Sequence, residues 1–333
     1  MPRPSRQLVY ERLERAVDEL QRIGGLPLPD EARSIWRNIW YEETHHSTAI
    51  EGNTLLLREV QLLLVEGRAV GGKELNEYLE VRAYADAAEW VYAQALKAAP
   101  QTGGPMITVT ELREIHRLVV EPAWLQFPPD RLDQREGPGS FRRHDIEAFH
   151  SGMKPPEWPQ VPSLVMDWVE RVNSDSHRFG KRHAIEGFAD LHAEFERIHP
   201  FRDGNGRIGR LTLNLLLVRY GYPPAVIYKK DRPKYLRSLD RADRGDPGSL
   251  GELLARAVKH NVDRFILPAL AGPHKLVPLT ALAGADFTQN ALVLAAQRGR
   301  LRASEMNGQW YSSREYVEEY RRSRYRRQKT APA

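Results

Sequence analysis

The chain has 333 residues, a formal net charge of +5 and no cysteine. That length allows two or three domains, and the lack of cysteine excludes disulfides and thiolate metal sites. No run approaches the ~20 apolar residues of a membrane span, and the charged start MPRPSRQLVYERLERAVDEL has no secretory core, so a cytoplasmic setting is expected.

Taken in order, residues 1 to about 270 predict a mainly helical body. Apolar side chains recur at helical spacing over Leu55–Val65, Glu74–Ala98, Val109–Val120 and Ser163–Asn173. Breaks fall at Gly71-Gly72, Gly103-Gly104-Pro105 and the proline-rich stretch 155–162. His45-His46 lacks a suitably spaced third ligand, so no metal site is read there. Ser47 to Asn53 reads as a helix end with Gly52 as its cap. Gly137-Pro138-Gly139 opens a segment to Phe149 that predicts a small hairpin. Ile185, Phe188, Leu191, Phe195 and Ile198 line one helix face. Ile208, Leu211, Leu215 and Val218 define a second helix, starting near Gly206 or Arg207 and ending at Gly221-Tyr-Pro-Pro.

Between those two helices lies HPFRDGNGRIGR, residues 199–210. Pro200 biases His199 away from the helical region, so the chain turns there. Gly204-Asn205-Gly206 at the mouth of the second helix predicts an anion-holding nest of backbone N–H groups, reinforced by the helix dipole. Arg207 and Arg210 can fork onto phosphate oxygens. Asp203 is a hard oxygen donor placed for a phosphate-bridging Mg²⁺, and His199 titrates near neutral pH as a general base must. Gly204, Gly206 and Gly209 also spell GxGxxG, but a helix rather than a strand precedes them, which excludes a dinucleotide fingerprint. His192 is expected to pack beside the site.

The run resembles the core motif of Fic-domain enzymes, HxFx(D/E)GNGRxxR, matched by His199, Phe201, Asp203, Gly204, Asn205, Gly206, Arg207 and Arg210. The resemblance implies transfer of AMP from ATP to a hydroxyl side chain of a target protein. It assigns His199 as the base, Asp203 to Mg²⁺, and Gly204, Asn205, Gly206 and Arg207 to the phosphates, with Arg210 on the γ-phosphate. The segment 137–149 resembles the family's flap, with Phe141, Arg142 and Ile146 as target-docking residues. Residues 47–52 match (S/T)xxxE(G/N), the family's inhibitory motif, so Ser47, Glu51 and Gly52 are expected to hold Arg210 in a resting state. The segment after Gly221 resembles the one closing the nucleotide pocket, with Tyr228 and Tyr235 as residues that either flank adenine or pack.

From about Gly272-Pro273 a different module begins. Thr288 is an expected N-cap for a helix burying Ala291, Leu292, Leu294 and Ala295. Arg300–Met306 and Gln309–Ser312 flank Asn307-Gly308, a strong hairpin signal, and Ser313 caps a last helix. This order resembles a winged helix, and Arg321, Arg322, Arg324, Arg326, Arg327 and Lys329 make its tail basic.

The expected organisation is an N-terminal helical region over 1–108, a catalytic core over 109–272 and the winged-helix-like module over 273–333. The leading reading is a self-inhibited protein adenylyltransferase using ATP and Mg²⁺, with self-modification expected and homodimerisation left open. Two alternatives stand beside it: the same fold using another donor or removing AMP, and a DNA-binding regulator with the helical core as sensor.

Overall fold

The computed structural model describes residues 5–22, 24–27, 32–97, 104–129, 134–149, 152–175, 182–266, 270, 276–284, 286–306 and 308–329. They form two compact units, 1–262 and 263–333. No helix among the described residues is long and apolar enough to cross a membrane.

The first unit is all helical: α1 (Arg6–Arg22), α2 (Arg33–Ile50), α3 (Leu57–Glu66), α4 (Leu75–Lys97), α5 (Val109–Gln126), α6 (Val161–Asp175), α7 (Ala184–Ile198), α8 (Asn205–Tyr220), α9 (Arg232–Asp243) and α10 (Gly248–Asn261). α8 is its axis. Its side chains from Ile208 to Arg219 are all buried, which is why LTLNLLLV shows no polar face. α7 presents Ile185, Phe188, Leu191, Phe195 and Ile198 to the same core, as its spacing predicts. α5 starts in a capping box between Thr108 and Glu111 and continues through Pro122 to Gln126, beyond the end expected at Val120. Arg219, at the end of α8, donates to the Met106 carbonyl and to Glu111 at 2.7 and 2.6 Å. Those bonds tie the far end of the axis to the start of α5.

The flap segment is not a pair of strands. The described residues 137–149 carry no ladder, because their backbone donors are used elsewhere. The Arg142 N–H goes to the Pro200 carbonyl at 2.9 Å and that of Arg143 to the Glu136 carboxylate. Phe149, donating to the Met153 carbonyl at 2.8 Å and accepting from the Gly152 N–H at 2.8 Å, closes the arm on itself.

The second unit holds β1 (Val277–Pro278), α11 (Leu279–Leu282), α12 (Gln289–Gln297), β2 (Ser304–Met306), β3 (Gln309–Ser312) and α13 (Arg314–Lys329). The sheet is antiparallel in the order β1-β3-β2. Thr288 caps α12 by accepting the Ala291 N–H at 3.3 Å, and Ser313 accepts the Tyr316 N–H at 3.1 Å to start α13. Leu279, Phe287, Leu292, Ala295, Ala296 and Leu301 form the core. This corrects the expected α12 face: Leu292 and Ala295 are buried with Ala296, whereas Ala291 and Leu294 are exposed. Positions 292, 295 and 296 share one side of a 3.6-residue turn, and 291 and 294 fall on the other. The break at Gly272-Pro273, residue Asn307 and the tail side chains beyond Ser323 lie outside the described residues.

Candidate active site

α7 ends at His199, whose φ of 49° and ψ of 59° are left-handed. It is the one non-glycine with positive φ among the described residues. Such a backbone costs roughly 1–3 kcal/mol and persists only where its surroundings fix it. Arg142 supplies the fixing: its Nε donates to the His199 carbonyl at 2.8 Å while its own N–H holds Pro200. The His199 Nδ1 lies 3.2 Å from the Glu196 carbonyl. A carbonyl can only accept, so Nδ1 carries the proton and Nε2 is left as a free lone pair. Burial lowers the His199 pKa below the usual histidine range, partly opposed by that carbonyl. The ring is therefore kept neutral and ready to take a proton.

Beyond His199 the loop is closed by Asn205. Its Oδ1 accepts the Phe201 N–H and its Nδ2 donates to the Phe201 carbonyl, both at 2.8 Å. These two bonds use one N–H and one lone pair of its amide and fix the loop, while the second N–H keeps its capacity for a ligand. Gly204, at φ 79°, is the N-cap of α8, a conformation suited to glycine. The helix accordingly begins at Asn205, a residue earlier than its apolar spacing suggested. Backbone N–H groups of the first turn have no partner within a helix, which leaves an anion-attracting end. Arg207 pairs with Asp203 at 3.0 Å and approaches Glu80 at 3.8 Å. The Asp203 side chain is 68% exposed and the Arg207 side chain only 6%.

No cluster of three or more acidic, histidine or cysteine side chains suited to a metal occurs among the described residues. A single open carboxylate fits an ion whose remaining ligands are phosphate oxygens and water, the usual surroundings of Mg²⁺.

Arg210 is buried and its donors are engaged by α2. Nε donates to the Ser47 hydroxyl at 2.8 Å, and Nη2 donates to the Ser47 carbonyl at 2.9 Å and to Glu51 Oε1 at 2.7 Å. Burial alone would raise the Glu51 pKa, but Arg210, with Arg207 and Arg232 behind it, holds the carboxyl below its ordinary value. Glu51 is charged in this arrangement. Its carboxylate also rests against Gly206, where an added Cβ would collide with it. Gly52 follows at φ 111° and turns the chain away. Four residues before Ser47, Glu43 accepts from Asn214 of α8 at 2.8 Å and from Tyr84 at 3.1 Å, and also from Tyr92.

The structure thus gathers His199, Asp203, Gly204, Gly206, Arg207, Arg210, Ser47 and Glu51 around the start of α8. Other expected site residues serve the frame. Arg142 is 1% exposed, and its guanidinium binds the carbonyls of His144, Pro156 and His199. Phe141 packs on Phe201 with ring centroids 5.5 Å apart. Arg142 holds the base of the flap and is not free for docking, whereas Phe141 and Ile146 both stay half-exposed. Tyr235 is 1% exposed and its hydroxyl meets His192 Nε2 at 2.7 Å, so it packs and has no face open to adenine. Tyr228 is half-exposed beside His46, centroids 4.3 Å apart.

Three residues emerge only from the fold. His116 of α5 accepts the Gly139 N–H at 2.7 Å, hydrogen-bonds to the Asp203 backbone and stacks on Phe201 at 3.9 Å. Burial pushes its pKa down to about 3, so a neutral ring joins flap to motif loop. Glu136, also buried, pairs with Arg202 at 2.9 Å and His144 at 2.8 Å. Glu196 lies against Gly209, which has no Cβ to displace it, and burial raises its pKa to about 8. A polar residue inside the stripe Leu112-Ile115-His116-Val119 was a legible signal for His116. Neither glutamate carried one.

Residues 106–217 match the family model described as Fic/DOC. The chain is 30% identical over 268 residues to a protein named protein adenylyltransferase Fic from Drosophila melanogaster, an alignment covering 80% of this chain and 50% of that one. The chain spans about half the length of the curated relatives it matches. Among solved structures, a Fic domain-containing signaling protein from Bacteroides thetaiotaomicron superposes with a TM-score of 0.63 at 26% identity, covering 79% of this chain and 97% of that one. Fic-1 from C. elegans (residues 134–508) gives a TM-score of 0.63 at 28% identity, covering 78% and 72%.

Proposed function

We propose that this chain, which carries a Fic domain, is a protein adenylyltransferase: it moves AMP from ATP to a Ser, Thr or Tyr hydroxyl of a target protein, and is held at rest by Glu51. The supporting observation is the pairing of a neutral, tautomer-fixed His199 with the open N-terminus of α8. A proton acceptor and an anion cradle five to seven residues apart on one turn suit attack on a phosphate by a hydroxyl.

His199 Nε2 takes the hydroxyl proton. The oxygen forms a bond to the α-phosphorus, the bond from that phosphorus to the bridging oxygen breaks, and pyrophosphate leaves. The first-turn N–H groups and Arg207 bind the phosphates. Arg210, once released by Glu51, receives the γ-phosphate. Asp203 would hold Mg²⁺, which when bound supplies charge neutralisation to the polyphosphate. Asn205 shapes the loop through Phe201, and the second N–H of its amide can join the phosphates.

The test is transfer from α-labelled ATP with Mg²⁺, followed by intact mass, in wild type, Glu51→Gly and Glu51→Gly/His199→Ala. An AMP-sized gain in Glu51→Gly that vanishes in the double variant is the expected result. Label transfer that survives His199→Ala refutes the mechanism. Silence in every lane with ATP, UTP, GTP and CTP refutes the activity.

A further inference from the structure

The charge of this chain is not spread along it. Residues 263–333 hold twelve Lys and Arg against six Asp and Glu, a net +6, while the whole chain is +5, so residues 1–262 sum to −1. About a fifth of the chain carrying more than all of the net charge points to an anionic partner for that unit alone.

The fold of the unit says where such a partner sits. β1, α11, α12 and the β2–β3 hairpin succeed one another as a helix–turn–helix followed by a wing. The turn is closed by the Gly284 N–H on the Phe287 carbonyl at 3.0 Å. Met306 pairs with Gln309 across the wing. α12 buries Leu292, Ala295 and Ala296 and leaves Gln289, Asn290, Ala291 and Leu294 exposed, the last at 45%. That outer face is uncharged, begins with two carboxamides and continues with small and branched apolar groups. It is flanked by Arg298, the C-cap of α12, and by Arg300. Both are exposed, and neither makes an ion pair among the described residues. Neutral hydrogen-bonding and methyl-contacting side chains along a helix, with arginines at its end, match what a major groove requires: carboxamides for adenine edges, apolar contact for thymine methyls, and cations for the flanking phosphates.

We infer that the second unit binds duplex DNA, with α12 in the major groove, Gln289 and Asn290 at base edges, and Arg298 and Arg300 on the backbone. A protein-docking surface built on the same helix would not need the concentration of positive charge. The inference is independent of the transferase reading, since it uses no residue of the first unit.

The experiment uses the full chain. A duplex sequence is first selected from a random library, then binding is followed by fluorescence anisotropy from 50 to 200 mM salt for that duplex and for random duplex. Wild type should show a steep negative dependence of log affinity on log salt. Arg298→Ala/Arg300→Ala should weaken both duplexes alike and reduce the slope by about two. Gln289→Ala and Asn290→Ala should each cost the selected duplex roughly tenfold or more and leave random duplex unchanged. His199→Ala should bind both as wild type does. All substituted positions of the second unit are exposed, and a thermal melt matching wild type confirms folding. Absence of duplex binding at 50 mM salt overturns the inference, as does a slope unmoved in the arginine variant. Equal binding of selected and random duplex after selection, or association of the chain with itself through α12 in place of DNA, overturns it too.

Discussion

Replacing Glu51 with glycine tests the resting state most directly. Arg210 makes three hydrogen bonds to α2, of which Glu51 accounts for one at 2.7 Å and Ser47 for two at 2.8 and 2.9 Å. Loss of Glu51 therefore leaves the guanidinium anchored and empties only the position that a γ-phosphate needs. The arginine is buried, but the Glu51 side chain is 40% exposed. The pair is worth more than a surface ion pair, at about 0–1 kcal/mol, and less than a buried one, whose breaking costs about 3–5 kcal/mol. Taking about 1–3 kcal/mol as the preference for the closed pair, nucleotide must overcome a factor of roughly 5 to 150. Glu51→Gly should raise the initial rate of label transfer from α-labelled ATP by that factor. Glu51→Gln, which keeps the length but loses the charge, should give part of it. A rate in Glu51→Gly equal to or below wild type would show that the contact does not restrain the enzyme.

Three other outcomes follow from the same geometry. His199→Ala in the Glu51→Gly background should abolish transfer while equilibrium binding of ATP stays within a few-fold, because the ring touches the acceptor proton and not the phosphates. Since burial lowers the His199 pKa, the ring stays neutral as pH falls through the usual histidine value. The acid limb of the rate should lie below pH 6.5, and lower still in Glu51→Gly, because the Glu51 charge opposes that lowering. A limb at or above pH 6.5 counts against His199 as the base. His116→Phe keeps the stack on Phe201 but strands the Gly139 N–H, at a cost of about 1–3 kcal/mol. The melting midpoint should drop by roughly 3–10 °C and transfer should slow; an unchanged melt and rate would remove His116 from the frame.

The helices and the motif were legible because they rest on local signals. The spacing of Ile185, Phe188, Leu191, Phe195 and Ile198 fixed the face of α7, and that of Ile208, Leu211, Leu215 and Val218 placed α8, though the start it suggested fell a residue later than Asn205. The pairing of Glu51 with Arg210 was legible too, from the motif at 47–52, across 159 residues of sequence. What failed depended on who else needed a donor. Arg142 looks like a docking residue when read alone, yet the flap and the motif turn offer carbonyls that need donors, and its guanidinium meets three of them. Tyr235 was left between two roles and takes the packing one: α9 turns it inward onto His192, and spacing alone does not reveal which face of a short amphipathic helix is covered. Ala291 and Leu294 were misplaced because every residue from Ala291 to Ala296 is apolar, so the run carried no period to choose a side.

The antiparallel meeting of α2 and α8 explains how a restraint can be released without unfolding the helix that bears it. Glu43, Ser47 and Glu51 lie four residues apart and so share one face, opposite Asn214 and Arg210. The rungs differ in burial. Glu43 is 3% exposed and binds two tyrosines and an asparagine; burial raises its pKa to about 7. Ser47 is equally buried. Glu51 alone lies at the end of α2, as its C-cap, with Gly52 behind it and solvent beside it. The inner rungs therefore set the position of α2, and the outer one can swing aside by rotating a single side chain. Glu43→Ala should lower the melting midpoint, because it takes the carboxylate acceptor from two buried hydroxyls and an amide, at about 1–3 kcal/mol for a buried donor left unpaired. Glu51→Gly should lower the midpoint less, since it loses one half-exposed pair worth about 1–3 kcal/mol and leaves the Ser47 bonds in place. If instead Glu51→Gly melts as early as Glu43→Ala, the outer rung is part of the fold, and release would require α2 itself to detach.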